Sequence, residues 1–253
     1  MFPIQIALIV FGCVFGGTLL GMCLRGVLPK HHLTEDTRDV IKLGMGLIAT
    51  MSALVLGLVI ATAKSSYDTQ NSAVKNTAGQ ILLLDHVLAK YGPETKDARD
   101  LLRRTVASRL EAIWPEDRFQ RPRLGEPEAV LAGERIEGRI LQLSPQNDVQ
   151  RWLQSQALQI GTEIMQTRWL VVGGLGSSVP VLFLEVVVFW LTLIFGSFGL
   201  LAPRNATVVA ILFLCALSVA GSLFLILEMD QPFDGLMKVS SAPLRYALAQ
   251  LGH

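Results

Sequence analysis

Glu228, Asp230 and Asp234 crowd around Pro232 in LEMDQPFDG, residues 227 to 235, at the end of a long apolar run. Carboxylates this close together suit cation binding, proton transfer or the gating of an ion path. The first two need more, either a full shell of oxygen ligands or a matched base. The sequence supplies neither, and it contains no nucleophile elbow, phosphate-binding glycine loop or zinc-protease helix. The expectation is therefore no enzyme, no cofactor and no resident metal. Glu185 is a lone acid within another apolar run and is costly there unless it pairs, protonates or meets water. It reads either as a side chain reaching the interface or a structural partner, or as a group on an ion pathway. His31 and His32 beside Glu35 and Asp36 offer metal-ligand chemistry. The same residues also make an ordinary helix start, with Thr34 as cap and the acids in the favourable first turn. Cys13, Cys23 and Cys215 all lie in apolar runs, so no disulfide framework follows.

The elements that carry these groups emerge from the charge distribution. The chain has 253 residues, 51% of them hydrophobic and 17% charged, with a net charge of +1. A balance so near zero gives no reason to expect nucleic acid as a partner. The charges avoid apolar runs at Ile4 to Leu24, Leu43 to Ala63, Val179 to Leu201 and Ala206 to Leu227. The reading is an all-α integral membrane protein with four transmembrane helices and a helical soluble insertion between the second and third. The expected parts are residues 1–63 for the first two spans, 64–178 for the insertion, 179–228 for the last two spans and 229–253 for the acidic corner and tail. Asn205 is expected to cap the fourth span after the short APRN connection.

The second span is bordered by Lys42 and Lys64. At 1.5 Å per residue their backbones stand about 33 Å apart, close to the hydrocarbon thickness. Ala49, Ala53, Gly57 and Ala61 recur every four residues and offer a smooth face for a neighbouring helix. Leu47, Met51, Leu54 and Leu58 lie on another side. One reading turns these large residues to lipid. The other makes them the dewetting constriction of an oligomeric pore, with Lys42 and Lys64 attracting anions to its mouths.

Nothing breaks the chain between Lys64 and Val74, so the second span is expected to continue into the insertion. There Val74, Ala78, Ile81, Leu84 and Leu88 form one apolar stripe, ended by Gly92-Pro93. A second stripe follows through Ala98, Leu101, Leu102, Val106, Leu110 and Ile113. After a proline-rich loop and a shorter helix to about Leu143, Ser144 and Pro145 are expected to open a last helix with Val149, Trp152, Leu153, Ile160 and Ile164 inward. Gly173 to Ser178 reads as a joint to the third span.

The acid-x-Pro-Phe exit DQPF resembles the corner after the last membrane helix of bestrophins, the pentameric anion channels, and the order of parts is the same. More broadly, the chain resembles a bacterial membrane family carrying a bestrophin-like domain. The stretches that carry this are LPKHHLTEDTRDVIKLGMGLIATMSALVLGLVIATAKSSYDTQ, SPQNDVQ, FGLLAPRNATVVAILFLCALSVAGSLFLILEMDQPFDG and VSSAPL. The resemblance implies a homo-oligomer, a pentamer by analogy, in the lipid bilayer of the cell inner membrane. It also implies passive conduction of small inorganic ions through a pore lined by the second span, with the insertion and both termini cytoplasmic. Basic residues by themselves leave sidedness even: Arg25, Lys30, Arg38, Lys42 and Arg204 flank one side, Lys64, Lys75, Arg168, Lys238 and Arg245 the other. Two departures stand out. The second span has no Phe, Tyr or Trp where bestrophins narrow their neck, and DGLMKVSS lacks the acidic run of calcium-gated members. Glu228 and Asp230 read either as gating acids or as interface markers, with Phe233 tucked back under the bundle. The opposing hypothesis is a non-conducting scaffold or sensor whose insertion binds a partner.

Overall fold

The computed structural model describes residues 3–29, 34–115, 128–173, 180–203 and 205–252. The described residues are all-helical, without a strand: α1 (Pro3–Val27), α2 (Glu35–Tyr91), α3 (Lys96–Ile113), α4 (Glu128–Leu141), α5 (Asp148–Gly173), α6 (Val181–Leu201), α7 (Ala206–Met229) and α8 (Ala242–Gln250). Lys30, His31, His32, Arg204, the proline-rich loop over 116–127 and most of the expected glycine joint lie outside the described residues. The chain divides into two compact units. One is Met1–Ser66 with Ser177–Asp230; the other is Tyr67–Gly176 with Gln231–His253.

In the first unit α1 packs against α6 and α7. The α1–α6 contact is made by backbone. A Cβ added at Gly21 would collide with the carbonyl oxygen of Gly196, and one added at Gly199 with that of Thr18. At Gly17 it would stand 2.9 Å from the carbonyl oxygen of Thr192. Only glycine lets the two helices come this close, the small-xxx-small device of membrane helix pairs. Thr18 is fully buried at the crossing and returns its hydroxyl to the Val14 carbonyl at 3.3 Å. Where α6 ends, Arg25 Nη1 donates to the carbonyls of Leu201, at 3.2 Å, and Ala202. A cation on the last carbonyls of a helix satisfies orphan acceptors and opposes the negative end of the dipole. Val59 and Ala63 of α2 join Val10 and Val14 of α1, Ile194 and Phe195 of α6, and Ala216, Leu223 and Ile226 of α7 in one apolar cluster. Phe213 meets Phe11 and Phe15 edge-on, each at 5.3 Å.

In the second unit the expected stripes form the core. Val74, Ala78, Ile81, Leu84 and Leu88 of α2 are all buried, as are Ala98, Leu102, Val106 and Leu110 of α3, with Leu101 and Ile113 packed alongside. Each fully buried leucine contributes about 1.5–3 kcal/mol by leaving water. The helix α2 is a single element of 57 residues, as the unbroken pattern predicts. Thr34 opens it, accepting from Thr37 N–H at 3.4 Å. At its other end Gly92 adopts φ 140°, a region that favours glycine. Thr95 then caps the exit by donating to Leu88 O and Gly92 O at 2.7 and 2.8 Å.

The fifth helix departs from expectation. Val149 and Trp152 are exposed, while Leu153, Ala157 and Ile160 face the core. The helix starts later than Ser144, at Asp148, with Asn147 accepting from Gln150 N–H at 2.8 Å. Val149 thus falls in the first turn, and Trp152 lies about 100° around the helix from Leu153. Helix α8, unforeseen from sequence, adds Leu244 and Ala247 to this core.

Candidate functional site

Within residues 35–66 α2 shows three distinct faces. Successive residues are about 100° apart at 3.6 per turn. Met45, Ile48, Ser52, Val55, Val59 and Ala63 therefore share one face, and this is the face buried within the protomer. About a third of a turn away lie Leu47, Met51, Leu54 and Leu58, which are 50–75% exposed. A further third of a turn on lie Ala49, Ala53, Gly57 and Ala61, also exposed. A Cβ at Gly57 would meet nothing within 4 Å. The smooth face is thus open among the described residues of one protomer, and the bulky face is open as well. Polar side chains on the helix are satisfied locally. Ser52 donates to Ile48 O at 2.8 Å, Thr50 to Leu47 O at 2.8 Å and Thr62 to Leu58 O at 2.9 Å, so their hydroxyls carry no unmet hydrogen bonds into an apolar medium.

The flanking charges differ in setting. Lys42 pairs with Asp39 at 2.8 Å, one turn earlier on the same helix, with both side chains about two-thirds exposed. Such a pair is worth little in stability, and the Asp39 carboxylate offsets the positive charge that the sequence assigns to Lys42. Lys64 is exposed and engaged in its own interactions. Glu185 sits one turn into α6, exposed, near the positive end of that helix.

The acidic corner separates its acids by environment. Glu228, in the last turn of α7, is 5% exposed and Asp230 is half-buried at the C-cap; both hold interactions with other residues. Asp234 is exposed. Beyond the helix the chain closes a tight loop. Asp234 N–H donates to Gln231 O at 3.2 Å, Gly235 turns at φ 138°, and Val239 N–H returns to Pro232 O at 2.7 Å. Phe233 is buried against Trp114, ring centres 5.9 Å apart, and Trp114 Nε1 donates to Val239 O at 2.8 Å. Phe233 is thus part of the second unit's core. Among the described residues no group of three or more His, Cys, Asp or Glu could hold a metal ion.

A family model for the bestrophin-like domain matches residues 12–244. The chain belongs to that family. No curated protein and no solved structure matches it. Four helices among the described residues, α1, α2, α6 and α7, are long and apolar enough to cross a membrane, and this bestrophin-like chain is a membrane protein.

Two features escaped the sequence reading. One is the glycine crossing, for which the signal was present as Gly17 and Gly21 in GGTLLG facing Gly196 and Gly199 in FGSFG. The other is a buried ion pair in the second unit. Asp85, 6% exposed, accepts from Arg99 Nε and Nη2 at 2.7 and 2.9 Å and from Gly252 N–H at 3.4 Å. The hydrogen bonds that Arg99 donates to Asp85 raise its guanidinium above its already high ordinary value. This pair clips α3 and the C-terminal turn to α2.

Proposed function

We propose that the chain forms a homo-oligomeric ion channel, a pentamer on the bestrophin pattern, that conducts small anions passively through a pore lined by α2. In this reading α1, the first part of α2, α6 and α7 cross the cell inner membrane. Residues 64–178 form a soluble insertion, and both termini share its cytoplasmic side. Leu47, Met51, Leu54 and Leu58 face a central passage and gate it by dewetting. Ala49, Ala53, Gly57 and Ala61 lie against α2 of the next protomer, and Lys42 and Lys64 stand at the mouths. Glu185, Glu228 and Asp230 are intramembrane or gating acids, and no catalysis is involved.

The observation that carries the reading is the three-faced α2. One face is covered by the protomer, while a smooth face and a bulky face remain open on a helix of a bestrophin-like chain. A helix meeting only lipid has no need of a small-residue stripe, whereas one lying between a sister helix and a lumen uses both open faces. The test is anion flux in liposomes reconstituted with the purified chain. Flux that rises several-fold on Met51→Ala supports the pore. Vesicles that stay tight at high protein density, or particles with one protomer each, would favour the non-conducting scaffold.

A further inference from the structure

One outward face of α5 changes character along its length. Ser155, Gln159, Thr162 and Gln166 follow one another at helical spacing and are exposed, as suits a face that meets water. One turn on, the same side of the helix carries Trp169 and Leu170, 55% and 76% exposed, while Val171 beside them packs on the core. The helix then ends at Gly173, and the next one, the apolar α6, begins at Val181. The loop that follows α7 repeats the pattern: Leu236 and Met237 are exposed there, followed by an exposed Lys238.

Exposure alone assigns no partner, since Val149 and Trp152 at the other end of α5 are exposed as well. Position along α2 distinguishes the two ends. Three hydrogen bonds set the register of α5 against α2. Gln150 Nε2 donates to Tyr91 O at 3.1 Å, Gln80 Nε2 to Glu163 Oε2 at 3.3 Å and Gln70 Nε2 to Val171 O at 3.5 Å. Each step back along α2 is matched by a nearly equal step forward along α5, so the helices run antiparallel and Trp169 and Leu170 stand near the level of Gln70. Gln70 lies about 9 Å beyond Lys64 on the same unbroken helix. On the proposed topology the hydrocarbon ends near Lys64, and a headgroup layer of roughly 5–8 Å follows. A Trp and a Leu side chain at the end of α5 reach that layer, whereas Val149 stands about 30 Å farther out. An indole favours this level, where its apolar body and its polar N–H both find partners.

We propose that Trp169 and Leu170 are a lipid-facing foot of the second unit, seated in the headgroup layer of the bilayer that α6 crosses. The foot rests on the proposed topology and not on conduction, so a non-conducting scaffold would carry it too.

The test uses the full chain in lipid nanodiscs, with Cys13, Cys23 and Cys215 replaced by alanine and one new thiol at a time carrying a nitrobenzoxadiazole dye. Leu170→Cys puts the dye on an exposed position, where it displaces no core. A lipid with a nitroxide on its headgroup should quench this dye about twofold or more, and a lipid with the nitroxide deep in its acyl chain should quench it less. Val149→Cys should respond to neither. Phe189→Cys, on the exposed side of α6, reports separately on the topology and should respond most to the deep nitroxide. Without any dye, Trp169→Phe should lower the quenching of intrinsic fluorescence by the headgroup nitroxide. A Leu170→Cys dye quenched no more than that of Val149→Cys, while Phe189→Cys is quenched, would overturn the proposal and leave the topology standing. An unquenched Phe189→Cys would overturn both. Disulfide cross-links between copies through Leu170→Cys, with its dye shielded from nitroxide, would assign this face to a second copy of the chain and likewise overturn the proposal.

Discussion

The two units bury their residues by different means. In the second unit the contacts are large side chains on helical stripes, such as Leu84, Leu88 and Leu102, set against polar outer faces. In the first unit the tightest contact has almost no side chain at all: Gly21 and Gly199 bring the backbones of α1 and α6 together. On the proposed topology, with the second unit in water and the first in lipid, the contrast follows from the solvent each unit must exclude. Water drives large apolar groups together, so area matters in the second unit. Lipid does not distinguish a buried leucine from an exposed one, so close approach and hydrogen bonding decide in the first.

The sharpest way to break the comparison is to add volume at the backbone contact. Gly21→Val should cost about 3 kcal/mol or more, because the new methyl groups have only rigid backbone to displace. Gly57→Ala, on the open face of α2, should cost the folded protomer nothing and stabilise it by up to about 1 kcal/mol. Thermal denaturation in detergent measures both, and equal losses would mean that the smooth faces of α1 and α2 do the same job within a protomer.

In the second unit the corresponding test is electrostatic. Asp85→Asn should lose about 2–4 kcal/mol, reduced from the upper figure because Arg99 keeps some contact with water. Hydrogen exchange should report faster exchange at Gly252 and along the first turn of α3, while α1 and α6 remain protected. A uniform loss of protection across both units would contradict a local role for the pair.

A smaller effect concerns Tyr91. Its hydroxyl is buried without a hydrogen-bond partner among the described residues, and burial, followed by the nearby Glu94 charge, raises its pKa above the ordinary tyrosine value. A pKa raised in the folded state gives stability that is present below the unfolded value of about 10 and lost as pH rises through the folded value. Alkaline titration of stability should therefore show a decline above about pH 10 that Tyr91→Phe removes. Near neutrality Tyr91→Phe should be neutral or stabilising by up to about 1 kcal/mol, since it deletes an unsatisfied polar group.

What could be read beforehand follows the same division. Stripes in the second unit were legible because polar and apolar residues alternate there with helical period, and the caps Thr34 and Asn205 were legible because short polar side chains precede long apolar runs. Asn205 accepts from Val208 N–H at 2.8 Å as its type and position imply. Val149 misled because an apolar residue in a first turn carries the stripe's spacing without a neighbour to cover it, and Trp152 because it stands about 100° around the helix from the buried Leu153. Within the spans nearly every position is apolar, so periodicity says little about which face packs. The small-residue repeat in α2 drew attention, while the equivalent pair in α1 made the contact inside the protomer. The open faces of α2 could not be distinguished by composition, since lipid, lumen and sister helix all accept apolar residues.

The central claim, that Met51 lies in an ion passage, is tested most directly by its chemical accessibility. In a background with Cys13, Cys23 and Cys215 replaced by serine or alanine, Met51→Cys places a single thiol on the bulky face. A charged, membrane-impermeant thiol reagent should then change anion flux in liposomes several-fold, and the same treatment of Ala49→Cys should leave it unchanged. Flux that is insensitive to the reagent at Met51→Cys, in vesicles that conduct before its addition, would contradict the claim.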